Sequence, residues 1–319
     1  MIRIIELFGG IGAFTKAFKR QGLPIEVLDY VEIDKYAVAS YNAINGTNFE
    51  PQDIKEWNKH FENVDFIIHG SPCQDFSVAG KQAGGDKGSG TRSSLLYETL
   101  RIVGNNKPRY VIWENVKGVL SPKHRHNFDE YLEEMSKLGY NNFYQILNSK
   151  DYGVPQNRER VFTVSIRKDV GSEFSFPIPR KLCNTLGDYL EPIVDEKYYL
   201  KLWKLDGIVF TKKRVYWDTS GKGYGSQQDR AVYADGLCPT LSRCNSNGDK
   251  AQVAIPQISG GYLIRKLTPR ECWRLMGFDD EDFWKAAKVN TNSKLYNQAG
   301  NSIVVNVAEA IISRKELVW

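Results

Sequence analysis

Cysteine and long apolar runs are scarce in this chain of 319 residues. The five cysteines are odd in number and scattered, which argues against a disulfide framework, and no Cys/His spacing indicates a zinc site. No apolar run approaches the ~18 residues that a membrane-spanning helix needs. Met1 leads almost directly into a strand-like run rather than a secretory signal, so we expect an intracellular, cytoplasmic protein without a metal ion.

The chain also has only a small excess of charge of one sign. The 43 Lys and Arg residues against 38 Asp and Glu residues give a formal net charge of +5, and no block of like charge forms a basic tail. This mild basic bias is compatible with an anionic partner but does not identify one.

The first half of the chain alternates strand-like and helix-like stretches up to about residue 168. This rhythm predicts an α/β fold with a doubly wound, mainly parallel sheet. The predicted strands are Ile2 to Phe8, Glu26 to Val31, Phe66 to His69, Tyr110 to Trp113 and Arg160 to Ile166. The predicted helices are Ala13 to Arg20, Lys35 to Ala43, Ser93 to Val103 and Phe128 to Leu138.

The alternation of strand-like and helix-like stretches stops near Ser175. The sequence that follows is rich in aromatic, Gly, Ser and Asn residues and has mainly strand and turn signals. Thr268 with Pro269 and Glu271 then forms a capping box that opens a helix, and Gly300 is predicted to begin a final helix. We therefore predict a first domain over residues 1–174, completed by 285–319. A second, smaller and irregular β-rich domain is predicted over residues 175–284.

A glycine-rich turn, ELFGGIGAF, follows the first predicted strand. Gly10 and Gly12 allow the backbone to approach a ligand closely. The third glycine of the dinucleotide fingerprint is missing, so an adenosine-type cofactor is favoured over NAD. An ordinary tight turn is the alternative.

Acidic residues end the next predicted strands. Glu32 is placed to accept hydrogen bonds from ribose hydroxyls, and Asp53 is predicted to end a third strand and to hold an adenine amino group. Ligands of open α/β sheets bind at the carboxyl ends of strands, where Glu32 and Asp53 would be joined by Phe8, Cys73 and Glu114. Solvated surface acids are the alternative.

Cys73 stands in GSPCQDFS, directly after a predicted strand, and Glu114 ends the following one. At a strand end the thiol is placed as a nucleophile, with an inert structural cysteine as the alternative. A thiolate that adds to C6 of a pyrimidine makes C5 nucleophilic, and a carboxylic acid at N3 stabilises the developing charge. C5 can then take a methyl group from a sulfonium.

Arg158 and Arg160 enter the last predicted strand on alternate residues, so both are predicted to point to one face. There they would hold Glu114, lower the pKa of the thiol or bind a phosphate. A surface ion-pair patch is the alternative.

Taken together, the motifs resemble the C5-cytosine DNA methyltransferases of the bacterial and phage restriction–modification type. The resemblance covers nearly the whole chain and implies that Cys73 is the nucleophile, that Glu114 contacts the cytosine N3 edge and that Arg158 and Arg160 support this site. It also implies that S-adenosyl-L-methionine binds against a set of residues from both ends of the chain. They are Phe8, Gly10, Gly12, Glu32, Ile33, Asp53, Leu95, Asn301 and Ser302. The motifs, in order, are ELFGGIGAF, VEID, Asp53, GSPCQDFS, SLLYETLRIV, ENVKG, QNRERVF, RKLTPRECWRLMGF and QAGNSIVVNV.

The same resemblance implies that residues 175–284 recognise a short double-stranded DNA site. By analogy, Gln227 would fill the space left by a flipped cytosine, Arg230 would read a guanine, and Thr240 belongs to a Thr-Leu pair of such domains. The glycine-rich loop from Ser77 to Arg92 would close as a lid. A monomer is implied.

Small departures from the family pattern occur at Glu6, Gly9 and Ala13, where the family usually has Asp, Ala and Gly. They concern the details of cofactor packing. An RNA (tRNA) cytosine-5 methyltransferase and a non-catalytic DNA-binding homologue are the alternatives, although the intact Cys73 and Glu114 argue against the latter.

Overall fold

The computed structural model describes residues 1–72, 95–200, 208–212, 214–216, 230–242, 251–257 and 261–317. The chain divides into two compact units. Unit 1 comprises Met1–Asn148, Glu159–Ile178 and Val307–Trp319, and unit 2 comprises Ser149–Arg158 and Pro179–Asn306. Within the described ranges, no helix is long and apolar enough to cross a membrane. The same ranges contain no group of three or more His, Cys, Asp or Glu residues that could hold a metal ion.

Unit 1 is built on a mainly parallel sheet, which confirms the predicted fold class. Its strands are β1 (Ile2–Leu7), β2 (Ile25–Val31), β3 (Phe66–His69), β4 (Tyr110–Val116), β5 (Tyr140–Asn148) and, after the short β6 (Gln156–Asn157) of unit 2, β7 (Glu159–Arg167). The order is β2-β1-β3-β4-β7-β5. The pairs among β1 to β4 are parallel, whereas β7 runs antiparallel to both of its neighbours.

The helices of unit 1 agree with prediction to within a few residues. They are α1 (Ala13–Arg20), α2 (Lys35–Asn45), α3 (Leu96–Asn106) and α4 (Arg125–Lys137). The fully buried Ile67 and Val111 of the sheet belong to one core cluster with Ile102 of α3 and Phe128 of α4. This packing holds the central strands in fixed register.

One predicted strand is wrong. Residues 46–65, all described, contain no strand, and Asp53 lies in a turn. The segment before it is polar and carries Asn48 and Pro51, which disfavour a central strand. The segment with Cys73 therefore follows the third strand of the chain, β3, and Glu114 lies in the fourth, β4.

Glu6 is a buried carboxyl group in β1 that caps the neighbouring helix. Its Oε1 accepts a hydrogen bond from the Thr15 backbone nitrogen at 3.1 Å, and its Oε2 accepts one from the Thr15 hydroxyl at 2.7 Å. Gly12, at the N-cap of α1, has no side chain for this task. Burial raises the pKa of Glu6 to about 7, although the hydrogen bonds from Thr15 oppose the shift.

Unit 2 contains small sheets and short helices. One sheet has the order β13-β12-β10-β9-β8, and β6 pairs in parallel with β11. The strand bounds are β8 (Val209–Phe210), β9 (Arg214–Tyr216), β10 (Arg230–Tyr233), β11 (Cys238–Pro239), β12 (Gln252–Pro256) and β13 (Tyr262–Lys266). The helices are α5 (Pro269–Arg274), α6 (Asp280–Ala287) and α7 (Asn292–Asn301), and α8 (Val305–Ile312) begins in this unit and continues in unit 1.

A buried ion pair fixes α5 against β13. Two guanidinium nitrogens of Arg265 donate to the carboxylate of Glu271 at 2.8 and 2.6 Å, and the two side chains are 1% and 0% exposed. Glu271 also accepts from the Thr268 backbone nitrogen at 2.7 Å, which confirms the predicted capping box. A buried bidentate pair of this kind holds its two elements in one geometry.

The last helix of the chain begins at a different residue from the predicted one. Gly300 does not open a helix: it lies in the last turn of α7, and α8 begins at Val305. The extended backbone of Ser302, with φ −73° and ψ 157°, separates the two helices.

The boundaries of the two compact units also differ from the predicted ones. Residues 149–158 group with unit 2, where the side chains of Gln156 and Arg158 are hydrogen-bonded, and the return to unit 1 begins at 307 rather than 285. The functional division into a catalytic and a target-recognition domain stays a prediction.

We predict that Glu6→Gln removes a pH dependence of stability. Because the folded-state pKa of Glu6 is raised from 4.5 to about 7, the native state binds this proton more tightly than the unfolded state. That stabilisation is complete below the unfolded pKa and is lost as the pH rises through the folded one. As the pH rises from roughly 4 to 8, the free energy of unfolding of the variant, measured by urea denaturation, should increase by about 3 kcal/mol relative to that of the wild type.

The matched control is Glu26→Gln, which makes the same change at a half-exposed carboxylate of β2. Glu26 lies at the surface in an ion pair with Arg3 rather than in a buried helix cap, so no such trend is expected. A stability difference between Glu6→Gln and the wild type that stays constant with pH would contradict the prediction.

Candidate active site

The turn between β1 and α1 has an unusual backbone. Phe8, Gly10 and Gly12 all have left-handed φ angles, of 54°, 54° and 78°. Glycine adopts this region without strain, and an added Cβ on Gly10 would meet no atom within 4 Å. The turn therefore has an open side at Gly10, and the approach of a ligand there stays a prediction.

Gly9 lies on the packed side of the same turn. An added Cβ there would lie 2.6 Å from Cε2 of Tyr30, so the ring of Tyr30 occupies the space that alanine would need. Packing against this aromatic ring explains why the chain has Gly9 where alanine is usual.

Glu32 ties the turn to the end of β2. Its carboxylate accepts the backbone N–H of Gly10 at 3.1 Å and that of Asp34 at 2.9 Å. Burial raises the pKa of Glu32 above its ordinary value. Each carboxylate oxygen has further lone pairs, so ribose hydroxyls can still donate to it. The adjacent Ile33 is 67% exposed and offers an apolar surface to an adenine ring.

The turn that carries Asp53 is fixed beside Glu32 by its neighbour. The backbone nitrogen of Gln52 donates to the carbonyl oxygen of Glu32 at 2.8 Å, and its side-chain amide donates to the carbonyl oxygen of Tyr30 at 2.9 Å. The predicted strand is absent, yet Glu32 and Asp53 lie in one region because Gln52 is bonded to the Glu32 carbonyl oxygen.

Asp29 anchors this turn and was missed by sequence analysis. Its buried carboxylate accepts hydrogen bonds from Trp57 Nε1 at 2.8 Å, Lys59 Nζ at 2.7 Å and Gln52 Nε2 at 3.0 Å. Burial alone would raise the pKa of Asp29, but these hydrogen bonds outweigh it and lower the pKa. An acid in mid-strand gives no motif, because its partners lie more than twenty residues away.

The other predicted cofactor residues lie in both units. In unit 1, Phe8 and Leu95 pack against the same core cluster. In unit 2, Asn301 is exposed, whereas Ser302 is buried and its hydroxyl donates to the Ile303 carbonyl oxygen at 3.0 Å. Their contact with a cofactor stays a prediction.

The segment that leads to the predicted nucleophile is held by both neighbours of Glu114. Trp113 Nε1 donates to the Ser71 hydroxyl oxygen at 3.0 Å, and Asn115 Nδ2 donates to the Ser71 carbonyl oxygen at 3.3 Å. Ser71 is buried and stands two residues before Cys73. Cys73 itself, the predicted lid from Ser77 to Arg92, and Gln227 lie outside the described residues.

A neutral histidine completes the packing at this strand end. Burial lowers the pKa of His69 to about 3, and its Nε2 lies 3.0 Å from the hydroxyl of Tyr131. Its ring stacks nearly parallel to that of Trp113. His69 and Trp113 are also direct partners in the β3–β4 ladder, so side chains and backbone keep one register.

Glu114 is paired with Arg160, which is one of the three roles that the sequence left open for this arginine. The guanidinium Nε of Arg160 lies 3.1 Å from Oε1 of Glu114, and the side chains are only 16% and 12% exposed. Because β4 and β7 are antiparallel neighbours, the pair is fixed by the main sheet of unit 1. Arg160 therefore orients the carboxyl group.

Arg158 does not fit the prediction of one shared strand face. β7 begins at Glu159, and Arg158 lies in unit 2 with its side chain 3% exposed. Its guanidinium donates to the carbonyl oxygens of Leu241 at 2.7 Å, Gly300 at 3.1 Å and Ser302 at 2.8 Å. These are main-chain contacts within unit 2, and the catalytic role predicted for Arg158 stays a prediction.

Two predicted DNA-contacting residues of unit 2 are described. The hydroxyl of Thr240 donates to the Asn157 carbonyl oxygen at 2.7 Å. Arg230, at the start of β10, is half-buried, and burial together with the charge of Arg214 lowers its pKa. Two neighbouring cations repel each other, so an anion beside them would be stabilised.

Comparisons with known proteins show the family of this chain. A family model described as C-5 cytosine-specific DNA methylase matches residues 2–316. The type II methyltransferase M2.ScrFI of Lactococcus lactis subsp. cremoris is 33% identical, with 99% of each chain covered. The type II methyltransferase M.HhaI of Haemophilus parahaemolyticus is 34% identical, with 97% of this chain and 93% of the relative covered. The orphan methyltransferase M.SPBetaI of Bacillus phage SPbeta is 31% identical, with 97% and 96% covered.

Solved structures show the same fold at low sequence identity. The S. pombe Dnmt2 methyltransferase has a TM-score of 0.72 at 20% identity, with 98% of this chain and 97% of that chain covered. The Entamoeba histolytica methyltransferase EhMeth has a TM-score of 0.73 at 17% identity, with 99% and 98% covered. With the ordered motifs, the Glu114–Arg160 pair and a family model that spans almost the whole sequence, the chain belongs to the C-5 cytosine-specific DNA methylase family.

Proposed function

We propose that this protein transfers a methyl group from S-adenosyl-L-methionine to C5 of a cytosine that is flipped out of a short, specific duplex DNA site. Membership of the C-5 cytosine-specific DNA methylase family supports the reaction type. Its relatives are named as methyltransferases of bacteria and phages, which supports action in a bacterial or phage-infected cytoplasm. We infer a monomeric enzyme that needs no metal ion.

The observation that carries the proposal is the pair of hydrogen bonds that Trp113 and Asn115 donate to Ser71. The two residues that flank Glu114 hold this serine, and Cys73 follows two positions later in the sequence. Only Pro72 stands between Ser71 and Cys73 in the sequence. We therefore propose that the thiol and the carboxyl group of Glu114 act on one pyrimidine ring.

The residues at the β1–α1 turn fit an adenosine-containing cofactor. The open side of Gly10, the lone pairs of Glu32 and the exposed Ile33 suit backbone approach, ribose hydroxyls and an adenine face, respectively. Asp53 is the proposed acceptor for the adenine amino group. When bound, S-adenosyl-L-methionine supplies an electrophilic methyl group on a sulfonium sulfur.

The protein's own groups prepare the base for that methyl group. The Cys73 thiolate adds to C6, while Glu114, held by Arg160, shares a proton with ring N3 and stabilises the negative charge that develops. The electron pair at C5 is then available to a methyl electrophile, which S-adenosyl-L-methionine would supply as its S–CH3 bond breaks and S-adenosyl-L-homocysteine leaves. Loss of the C5 proton to a base and departure of the thiolate restore the aromatic ring.

Recognition of the DNA is assigned to unit 2. We propose that Arg230, beside the second cation Arg214, contacts a guanine edge or a phosphate, and that Thr240 supports this surface. Gln227 is proposed to fill the space that the flipped cytosine leaves.

The nucleic-acid class is tested by offering both substrates. We expect methyl transfer to duplex DNA in a sequence-dependent manner and at least about a hundredfold less transfer to tRNA, because the family model is that of DNA methylases. Tritium transfer to each substrate, followed by bisulfite sequencing of the DNA, provides the measurement. Preferred transfer to tRNA would favour the RNA branch instead.

Replacement of the thiol tests the nucleophile. Cys73→Ser should lower turnover by at least about a thousandfold, because serine is a far weaker nucleophile than thiolate, yet leave DNA binding intact. A duplex with 5-fluorocytosine at the target should form a covalent complex with the wild type only, because fluorine cannot leave as a proton does. Cys183→Ser is the matched control, since Cys183 is an exposed free thiol. Wild-type turnover by Cys73→Ser would refute the mechanism.

Replacement of the carboxyl group tests the proton donor. Glu114→Gln should lower turnover by about 10²- to 10⁴-fold, the usual contribution of a positioned acid or base, with a smaller effect on affinity for DNA. Glu159→Gln, on the adjacent strand and paired with the exposed Lys117, should retain turnover. Equal losses in the two variants would argue against a specific role of Glu114.

A further inference from the structure

Arg158 is a buried cation that joins two distant segments of unit 2. Its Nη1 donates to the carbonyl oxygen of Leu241, while its Nη2 donates to the carbonyl oxygens of Gly300 and Ser302. All three acceptors are main-chain atoms, and they stand 83, 142 and 144 residues further along the sequence. One planar guanidinium thus fixes the distance between residue 241 and the 300–302 segment.

The two residues before Arg158 strengthen its hold on one of these segments. Gln156 accepts a hydrogen bond from the Leu241 nitrogen at 3.1 Å and donates to the Leu275 carbonyl oxygen at 2.8 Å. The Asn157 carbonyl oxygen accepts from the Thr240 hydroxyl, and β6 pairs with β11 immediately before Thr240. The Gln156–Arg158 segment therefore holds Thr240 and Leu241 through both backbone and side chains.

We propose that Arg158 is a positioning residue that couples DNA recognition to cofactor binding. This inference rests on the proposed function, in which Thr240 belongs to the DNA-reading surface and Asn301 and Ser302 to the cofactor site. DNA that binds Thr240 and Leu241 would stabilise their present position and, through the Leu241 carbonyl, the present position of the Arg158 guanidinium. The guanidinium in turn holds the carbonyls of Gly300 and Ser302, on either side of Asn301.

The fork shape of arginine is essential to this role. A guanidinium presents several donors in one rigid plane, so it can hold two segments at a set separation, whereas the ammonium of lysine is a point charge on a flexible stem. Charge-assisted hydrogen bonds to carbonyls are also stronger than neutral ones. Coupling between two sites is reciprocal, so DNA should tighten cofactor binding by the same factor by which cofactor tightens DNA binding.

The experiment measures this coupling factor. The affinity of S-adenosyl-L-homocysteine is determined by calorimetry with and without the cognate duplex, for the wild type and for Arg158→Lys. We expect duplex DNA to tighten binding by at least about fivefold in the wild type, the lower end of common allosteric factors, and by less than about twofold in Arg158→Lys. In steady-state assays the variant should show a raised KM for S-adenosyl-L-methionine with a smaller change in kcat.

Arg265→Lys is the matched control for a purely structural effect. Arg265 is equally buried in unit 2, and its contacts link β13 to α5 rather than residue 241 to the 300–302 segment. This control should lower the melting temperature and keep the coupling factor. If Arg158→Lys does not fold, Thr240→Val is measured instead. It removes the hydroxyl bonded to Asn157 and should also lower the coupling factor.

The inference is overturned if the wild type methylates DNA but binds S-adenosyl-L-homocysteine equally tightly with and without the duplex. It is also overturned if folded Arg158→Lys keeps the wild-type coupling factor, or if Arg265→Lys lowers that factor as much as Arg158→Lys does. When Arg158→Lys does not fold, an unchanged coupling factor in Thr240→Val overturns it as well. Failure of the wild type to methylate duplex DNA is a separate outcome that refutes the proposed function itself.

Discussion

The in-register pairing of β3 with β4 is the constraint on which the proposed chemistry depends. His69 lies opposite Trp113 in the ladder, and the indole of Trp113 donates a hydrogen bond to the hydroxyl oxygen of Ser71. Burial keeps His69 neutral, so the strand end packs against aromatic rings without an unpaired charge. Parallel strands have their carboxyl ends at one edge, and this edge brings the start of the Pro-Cys-Gln segment to the strand that carries Glu114.

Much of unit 1 could be predicted because its signals are local. Apolar runs and amphipathic spacing predict β1 to β4, β7 and the helices α1 to α4, since burial of such faces is what makes these elements stable. β5 was missed because its sequence, YNNFYQILN, mixes polar and apolar residues, as an edge strand can. Glu32 and Arg160 were found because they stand at strand ends beside recognisable motifs.

The remaining site residues depend on contacts between distant parts of the chain. Asp29 has no motif, yet it organises the turn that carries Asp53 through Trp57 and Lys59. Arg158 and Arg160 alternate in sequence, which predicts that both point to one strand face. The start of β7 at Glu159 separates them, and Arg158 instead donates to carbonyls of unit 2. Such contacts follow only from the folded arrangement.

The close fit of Gly9 against Tyr30 has a consequence for exchange of segments among relatives. Since the ring of Tyr30 fills the volume above Gly9, a glycine turn taken from a relative with alanine at this position would clash in this chain. Tyr30 also donates from its hydroxyl to the Gly10 carbonyl oxygen and stacks on Tyr41. A chimera that keeps the turn in its native shape must therefore transplant the β1–α1 turn together with the aromatic residues of β2 and α2, as one inherited block.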